Sequence, residues 1–255
     1  MAGISRSVPA STALAGPALQ DGIGVLVPYD MALDRELWRW TPPAVSLFFT
    51  RTPYAPVAVT IEMAELVSQG DAILAGIRNL QAAAPSVYAY GCTSGSFVSG
   101  VAGERALTQT MRAAGAARSV TASGALLAAL DRLAVTRVAI ATPYDPQITE
   151  RLVRFCNEAG VAVVGVAYLG LTAGIDKVPY ARTAKLVHQA DHPDAQAVVI
   201  SCTNLPTYDV IAPLEEELGK PVISANQATM WAALGAIDRR LVGPGQRLAT
   251  IGGPE

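Results

Sequence analysis

Short apolar runs alternate with longer segments of helical periodicity along most of the chain. The apolar runs predict strands at Ile23–Val27, Val45–Thr50, Val87–Tyr90, Val138–Ala141, Ala162–Val166, Ala197–Ile200 and Pro221–Ser224. The periodic segments predict helices at Thr60–Asn79, Gly103–Ala114, Gly124–Leu133, Gln147–Ala159, Ala181–Gln189 and Asp209–Leu218. Apolar strands separated by amphipathic helices are typical of βαβ units. The pattern therefore predicts an α/β fold whose parallel strands are covered on both faces.

Two short motifs each occur twice, in the same order. Pro28-Tyr29-Asp30 recurs as Pro143-Tyr144-Asp145 after 115 residues, and Cys92-Thr93 recurs as Cys202-Thr203 after 110 residues. Such a recurrence predicts two pseudosymmetric half-domains, each a parallel, flavodoxin-like sheet with flanking helices. We expect residues 22–118 together with 223–255 to form the first half and 119–222 the second. Residues 1–21 are expected to be a flexible N-terminal extension.

All four motif copies follow predicted strands. Open α/β sheets bind ligands outside the carboxyl ends of their strands. If the two halves face each other, both cysteines and both tyrosines line one cleft, and the sequence predicts an active site there.

Composition narrows the classes of function. Of the 255 residues 51% are apolar and 16% are charged, and the net charge is −2, which argues against a nucleic-acid partner. No segment has the ~18–20 continuous apolar residues of a membrane span. The first 20 residues lack the apolar core of a secretory signal. The three cysteines have no metal-ligand companions at suitable spacing, so we expect no metal and a reduced, cytoplasmic setting.

Cys92 and Cys202 are the candidate catalytic residues. Each follows an apolar strand and precedes a small polar turn. Exposed N–H groups and the dipole at a helix start would lower the pKa of such a thiol. Packing is the alternative, since free cysteines are commonly buried as small apolar residues. The third cysteine, Cys156, shares a helical face with apolar residues and is expected to pack in the core.

Eight residues of the strand-end turns are candidates for substrate binding. They are Pro28, Tyr29, Asp30, Thr93, Ser94, Tyr144, Thr203 and Asn204. Tyrosine hydroxyls and an asparagine amide can donate hydrogen bonds to a carboxylate. The hydroxyls of Thr93, Ser94 and Thr203 can equally cap helices, and Pro-Tyr-Asp can serve only as a turn.

The segments Tyr90-Gly91-Cys92-Thr93-Ser94 and Ser201-Cys202-Thr203-Asn204-Leu205-Pro206 resemble the paired cysteine motifs of the aspartate/glutamate racemase superfamily. Within it, the chain is most similar to the maleate cis-trans isomerase and arylmalonate decarboxylase branch, which includes a group associated with ectoine utilisation. The resemblance extends over nearly all of residues 22–238.

This resemblance implies an active site between two halves, no metal or organic cofactor, and a homodimer or homotetramer. It implies a maleate isomerase-like reaction in which Cys92 adds to the alkene and Cys202 is the general acid/base. Tyr144 matches the family's substrate-binding tyrosine. The decarboxylases lack the first cysteine, so Cys92 disfavours a pure decarboxylase.

Asp30 departs from the isomerase pattern, which has an asparagine in the first turn. A carboxylate there would repel a dicarboxylate unless it were protonated or turned away. Racemases have an acidic residue in this turn, so amino-acid racemisation or epimerisation with thiols on opposite faces is the second hypothesis. An arylmalonate-type decarboxylase and a non-catalytic small-acid binding protein are the further alternatives.

Overall fold

Two four-stranded parallel sheets form the framework of the computed structural model, which describes residues 19–254. The first sheet has the order β2-β1-β3-β4 and contains β1 (Asp21–Val27), β2 (Val45–Arg51), β3 (Val87–Tyr90) and β4 (Ser119–Thr121). The second has the order β6-β5-β7-β8 and contains β5 (Arg137–Thr142), β6 (Ala162–Tyr168), β7 (Ala197–Ile200) and β8 (Val222–Ser224). The predicted two-sheet α/β fold is confirmed.

Ten α-helices lie between and beside these strands in the described part of the chain. They are α1 (Asp34–Arg39), α2 (Ile61–Val67), α3 (Gly70–Gln81), α4 (Thr93–Phe97), α5 (Gly100–Ala113), α6 (Ala122–Arg132), α7 (Pro146–Glu158), α8 (Tyr180–Ala190), α9 (Tyr208–Leu218) and α10 (Ala225–Gly235). Short 3₁₀ turns cover Ile175–Lys177 and Arg247–Thr250. None of the helices within residues 19–254 is long and apolar enough to cross a bilayer.

The two sheets place the repeated motifs at equivalent positions. β1 and β5 occupy the same place in their sheets, as do β3 and β7. β1 pairs with β3 from Ile23–Val87 onwards, and β5 pairs with β7 from Val138–Ala197 onwards. The Pro-Tyr-Asp turns therefore follow one equivalent pair of strands and the Cys-Thr turns follow the other. β3 and β7 are buried throughout because neighbours cover both of their faces.

Local sequence signals fix several helix ends. Asp145 Oδ1 accepts the N–H of Ile148 at 2.8 Å, and Pro146 occupies the first turn of α7. Ser224 caps α10 in the same way. At the end of α9, Gly219 adopts φ +68°, a conformation that is easy for glycine. Asp145 therefore caps a helix. In the second Pro-Tyr-Asp motif the aspartate thus has a structural role.

The structure differs from the sequence prediction in four helical regions. The predicted helix at Thr60–Asn79 is two helices, α2 and α3, separated at residues 68–69. α1 and α4 lie outside the predicted helix ranges, and α10 has no counterpart among them. α4 has only five residues, and α10 is buried on nearly all sides, so neither has a clear amphipathic pattern.

Strand pairing assigns the residues next to the two expected boundaries to particular sheets. β4 belongs to the first sheet, although the second half was expected to begin at residue 119. Ile223 and Ser224 belong to the second sheet, although they were expected in the first half. β4 has three residues, too few for a visible apolar run. Residues 1–18 of the expected extension lie outside the described residues, and Asp21 already belongs to β1.

A close helix–sheet contact at Gly76 gives a test of the packing. A Cβ at this buried position of α3 would lie 2.5 and 2.7 Å from the two Cδ atoms of Leu26. We expect Gly76→Ala to lower the free energy of unfolding by about 1–3 kcal/mol, because overpacking outweighs the better helix propensity. Urea denaturation measures the change. Gly70→Ala in the same helix is the control, since its Cβ would meet nothing within 4 Å. An equal loss in both variants would contradict the proposed contact.

Candidate active site

A small cavity lies at the carboxyl ends of the central strands of both sheets. Nine of the ten residues selected from the sequence line it: Pro28, Asp30, Cys92, Thr93, Ser94, Tyr144, Cys202, Thr203 and Asn204. Val59, Met63 and Ile175 complete the wall with apolar side chains. The volume is about 20 Å³, which is room for about one water molecule. The fold therefore brings the two thiols to one closed cavity.

Cys92 follows β3 and is the N-cap of α4. Its Sγ accepts the N–H of Gly95 at 3.4 Å and lies 3.8 Å from Ser94 Oγ. Only glycine fits at position 95, because a Cβ there would lie 2.4 Å from Tyr90 Oη and 3.1 Å from Cys92 Sγ. Gly95 thus allows a thiol, a phenol and a backbone N–H to converge.

Cys202 has a strained backbone, with φ +105°. Such a conformation costs a non-glycine residue about 1–3 kcal/mol and persists only where the surroundings hold it. The Thr203 carbonyl accepts the Asn226 Nδ2–H at 2.8 Å. Asn204 fixes the next residue of the turn, since its Oδ1 accepts the Ala32 N–H at 2.9 Å and its Nδ2 donates to the Asp30 carbonyl at 3.0 Å.

Burial raises the pKa of Cys92 to about 11 and that of Cys202 to about 12. The hydrogen bond from the Gly95 N–H and the nearby hydroxyls of Tyr90 and Ser94 oppose the pKa increase at Cys92, but their effect is weaker than that of desolvation. The predicted lowering of the thiol pKa at a helix start is therefore wrong for the closed cavity. Both thiols are buried, and of the described residues lining this cavity none is Lys, Arg or His.

Each thiol has a tyrosine and a backbone N–H beside it. Cys92 has the Tyr90 hydroxyl and the Gly95 N–H, whereas Cys202 has the Tyr144 hydroxyl and the Asn204 N–H. Tyr144 was selected from the sequence but Tyr90 was not. Two residues apart near a strand end, Tyr90 and Cys92 point to the same side, and this spacing was the available signal. The Tyr90 hydroxyl also donates to the Val67 carbonyl at 2.9 Å.

Tyr29 does not line the cavity, and its expected role in substrate binding is not supported by its position. Its hydroxyl donates to the Val57 carbonyl at 2.9 Å, and its ring packs edge-on against Tyr54 at 5.6 Å. Tyr29 instead holds the segment that leads to Val59. The Val59 N–H donates to the Thr172 carbonyl at 2.9 Å, which joins this segment to the second half across the cavity.

Two polar groups in the cavity, Thr93 Oγ1 and the Asp30 carboxyl, have no side-chain partner among residues 19–254. Thr93 Oγ1 is buried and has no hydrogen-bond partner among residues 19–254. Asp30 forms no ion pair within that range, and burial raises its pKa. The hydroxyl can serve a ligand oxygen. The Asp30 carboxyl can either accept from a cation or, when protonated, donate to an anion.

No group of three or more His, Cys, Asp or Glu side chains suited to a metal ion occurs within residues 19–254. The cavity is lined by two thiols, the Tyr144 phenol, one carboxyl and neutral hydrogen-bond donors, and the Tyr90 phenol lies beside Cys92. Such a set can bind a small acid, move protons and form a covalent bond to carbon.

Two relatives resemble the chain over most of its length. Arylmalonate decarboxylase of Bordetella bronchiseptica is 37% identical over 175 residues, which cover 67% of this chain and 70% of that protein. Maleate isomerase of Nocardia farcinica is 28% identical over 171 residues, which cover 64% of this chain and 68% of that protein.

Solved structures of the same two enzymes share the fold. Liganded arylmalonate decarboxylase, with one glycine-to-cysteine and one cysteine-to-serine exchange, has a TM-score of 0.78 at 31% identity, covering 89% of this chain and 94% of that chain. A cysteine-to-serine variant of the Nocardia farcinica isomerase, with a covalently bound succinylcysteine intermediate, has a TM-score of 0.79 at 24% identity, covering 90% and 98%. Residues 60–248 match the family described as arylmalonate decarboxylase. In agreement with the resemblance of its cysteine motifs, the chain belongs to the arylmalonate decarboxylase family.

Proposed function

We propose that the protein is a cofactor-independent isomerase of a small unsaturated dicarboxylic acid, with a maleate isomerase-like reaction. The observation that carries the proposal is the pair of buried thiols, Cys92 and Cys202, on one cavity. Each comes from an equivalent strand of its own half and has its own tyrosine and N–H donor. A protein that only bound small acids would have no use for two matched thiols.

In the proposed reaction, the Cys92 thiol passes its proton to a carboxylate oxygen of the bound diacid and its Sγ bonds to one alkene carbon. The same proton returns to Sγ when the carbon–sulfur bond breaks. The π electrons move to the adjacent carboxylate, and the former double bond becomes a single bond about which the substrate rotates. Cys202 donates a proton to the carbanionic carbon and takes it back. The carbon–sulfur bond then breaks and the trans alkene forms. The succinylcysteine found in the Nocardia farcinica enzyme is the adduct expected of this chemistry in that relative.

Neutral donors would bind the substrate carboxylates. The unpartnered Thr93 hydroxyl and the Tyr144 hydroxyl lie at the cavity and can donate to anionic oxygens. The volume of about 20 Å³ requires that the cavity open to admit a diacid. Separation of Val59 from Thr172 is the movement that we propose for substrate entry.

Amino-acid racemisation is the second candidate, and Asp30 is the observation that favours it. An ionised Asp30 would pair with a substrate ammonium group, and two thiols on opposite faces could remove and return the Cα proton. The raised pKa of Asp30 instead accommodates a diacid, because a protonated carboxyl donates to a carboxylate. The two candidates therefore need opposite charge states of one side chain.

Thiol variants test the reaction. With maleate in D₂O, we expect fumarate formation to fall at least about 1,000-fold in Cys92→Ser, which loses the nucleophile. For Cys202→Ser we expect a fall of about 100- to 10,000-fold, since it loses the proton donor. NMR measures both. Cys156→Ala is the control and should retain the activity, because Cys156 lies in α7 away from the cavity. If the protein instead releases CO₂ from an arylmalonate, and Cys92→Ser still does so, the reaction is a decarboxylation.

Asp30→Asn separates the isomerase from the racemase. The amide cannot repel a dicarboxylate, so isomerisation of maleate should be retained or increased and should lose any decline at rising pH that wild-type protein shows. Racemisation should be abolished, because an amide cannot pair with an ammonium group. Initial rates on maleate and deuterium uptake at Cα of amino acids decide between the two. Loss of maleate turnover in Asp30→Asn would contradict the proposal that Asp30 accommodates a dicarboxylate in its protonated form.

The thiol pKa values predict the pH dependence of alkylation without substrate. With pKa values of about 11 and 12, Cys92 and Cys202 are protonated at neutral pH. Iodoacetamide should therefore react with each more slowly than with a free peptide thiol at pH 8, and the rate should still be rising at pH 10, where a thiol of pKa about 8.5 has levelled off. Peptide mass spectrometry gives the rate at each cysteine. A plateau below pH 9 would show that the site is open and hydrated.

A further inference from the structure

Glu36 is a buried carboxylate that the proposed reaction does not use. It lies on α1 in the first half and is only 7% exposed. Its Oε1 accepts the Thr207 N–H at 2.6 Å, the Thr207 hydroxyl at 3.1 Å and the Tyr208 N–H, all from the second half. Thr207 makes no side-chain cap for α9. Glu36 therefore provides that cap across the boundary between the halves.

The second oxygen of Glu36 leads to the turn that contains Cys202. Asn226 Nδ2 donates to Glu36 Oε2 at 3.2 Å and to the Thr203 carbonyl at 2.8 Å. Asn226 Oδ1 has no partner among residues 19–254. The amide nitrogen therefore faces two acceptors, whereas the amide oxygen faces no donor within residues 19–254, and this difference fixes the orientation of the Asn226 amide. Its orientation in turn keeps a donor on the Thr203 carbonyl.

We propose that Glu36 is a positioning residue that acts through Asn226 to hold Cys202 in its strained conformation. Every group bonded to Glu36 is a donor, so the ionised carboxylate fits these partners without an unmatched proton. The φ of +105° at Cys202 persists because the next two residues of the turn are held, Thr203 by Asn226 and Asn204 by the first half. That this positioning serves catalysis rests on the proposed function, whereas the hydrogen bonds from Glu36 through Asn226 to the Cys202 turn do not.

Glu36→Gln tests the link because it keeps the shape and reverses one hydrogen bond. The glutamine oxygen stays with the donors of Thr207 and Tyr208, so its amide nitrogen faces Asn226 Nδ2. Two donors then oppose each other. If Asn226 turns its amide, Oδ1 meets both the new nitrogen and the Thr203 carbonyl oxygen. Either arrangement removes one of the two hydrogen bonds that orient Asn226.

The experiment measures iodoacetamide alkylation of Cys202 and Cys92 in the full-length protein by peptide mass spectrometry. In Glu36→Gln we expect alkylation of Cys202 to be about 10-fold faster than in wild type, which corresponds to about 1.4 kcal/mol in favour of a released turn. Alkylation of Cys92 should be unchanged. Asn226→Ala should have the same effect and leaves the α9 cap of Glu36 intact, so the test survives if Glu36→Gln does not fold.

Glu215→Gln is the matched control. Glu215 is also buried, and its two oxygens accept the N–H groups of Val222 and Arg247 at 3.0 and 2.8 Å, away from both cavity cysteines. It should leave the alkylation of Cys202 unchanged. An equal acceleration in this variant, or a Cys202 rate within about twofold of wild type in both test variants, would overturn the proposal.

Turnover provides a second measurement. If maleate is a substrate, kcat should fall about 10-fold in Glu36→Gln with KM nearly unchanged, because Cys202 is displaced while the carboxylate donors remain. A protein that turns over no diacid would refute the proposed reaction and leave the alkylation test valid. Normal turnover with unchanged Cys202 alkylation would refute the positioning role alone.

Discussion

Exclusion of water from a cavity without a cation is the constraint on which the chemistry of this protein depends. Two thiols, the Tyr144 phenol and one carboxyl line it, the Tyr90 phenol lies beside Cys92, and desolvation favours the neutral form of each. A resting thiolate is therefore not available at neutral pH. In this site the charged form of a reacting group has to arise only during the reaction, with hydrogen-bond donors in place of the excluded water.

The same constraint explains how the two halves are joined. Two of the buried links between them are made by groups with several partners: Asn204 bonds to the turn after β1, and Glu36 bonds to the start of α9 and to Asn226. The exposed link between Arg39 and Asp209, by contrast, remains hydrated and is worth little on its own. Both buried links end at the Cys202 turn, so the joint between the halves and the geometry of the second thiol are one structural feature.

Pseudosymmetry gives the two thiols similar surroundings but not identical ones. Cys92 accepts a hydrogen bond in the ordinary extended conformation of a helix N-cap, whereas Cys202 lies in a left-handed turn. A residue in relaxed geometry suits a nucleophile that must approach the substrate and withdraw. A residue held by its neighbours suits a proton donor that must stay in place. The chain belongs to the arylmalonate decarboxylase family and is also similar to maleate isomerases.

The sequence by itself determined the alternation of strands and helices, the internal repeat and most residues of the cavity, but not its apolar wall of Val59, Met63 and Ile175. The bounds of β3 and β7 follow directly from their apolar runs, and the repeated Cys-Thr turns follow from the equivalence of those strands. These features are local or periodic, so the order of residues along the chain is enough to reveal them.

The tertiary structure alone decided the roles of Glu36 and Asn226 and the protonation of the thiols. Glu36 meets its partners across 171 and 190 residues of sequence, and no local pattern marks contacts of that range. The thiol pKa depends on how much water the closed cavity excludes, which overrides the helix start visible in the sequence. Burial is a property of the assembled fold, and for that reason the chemistry of Cys92 and Cys202 could be located from the sequence but not described from it.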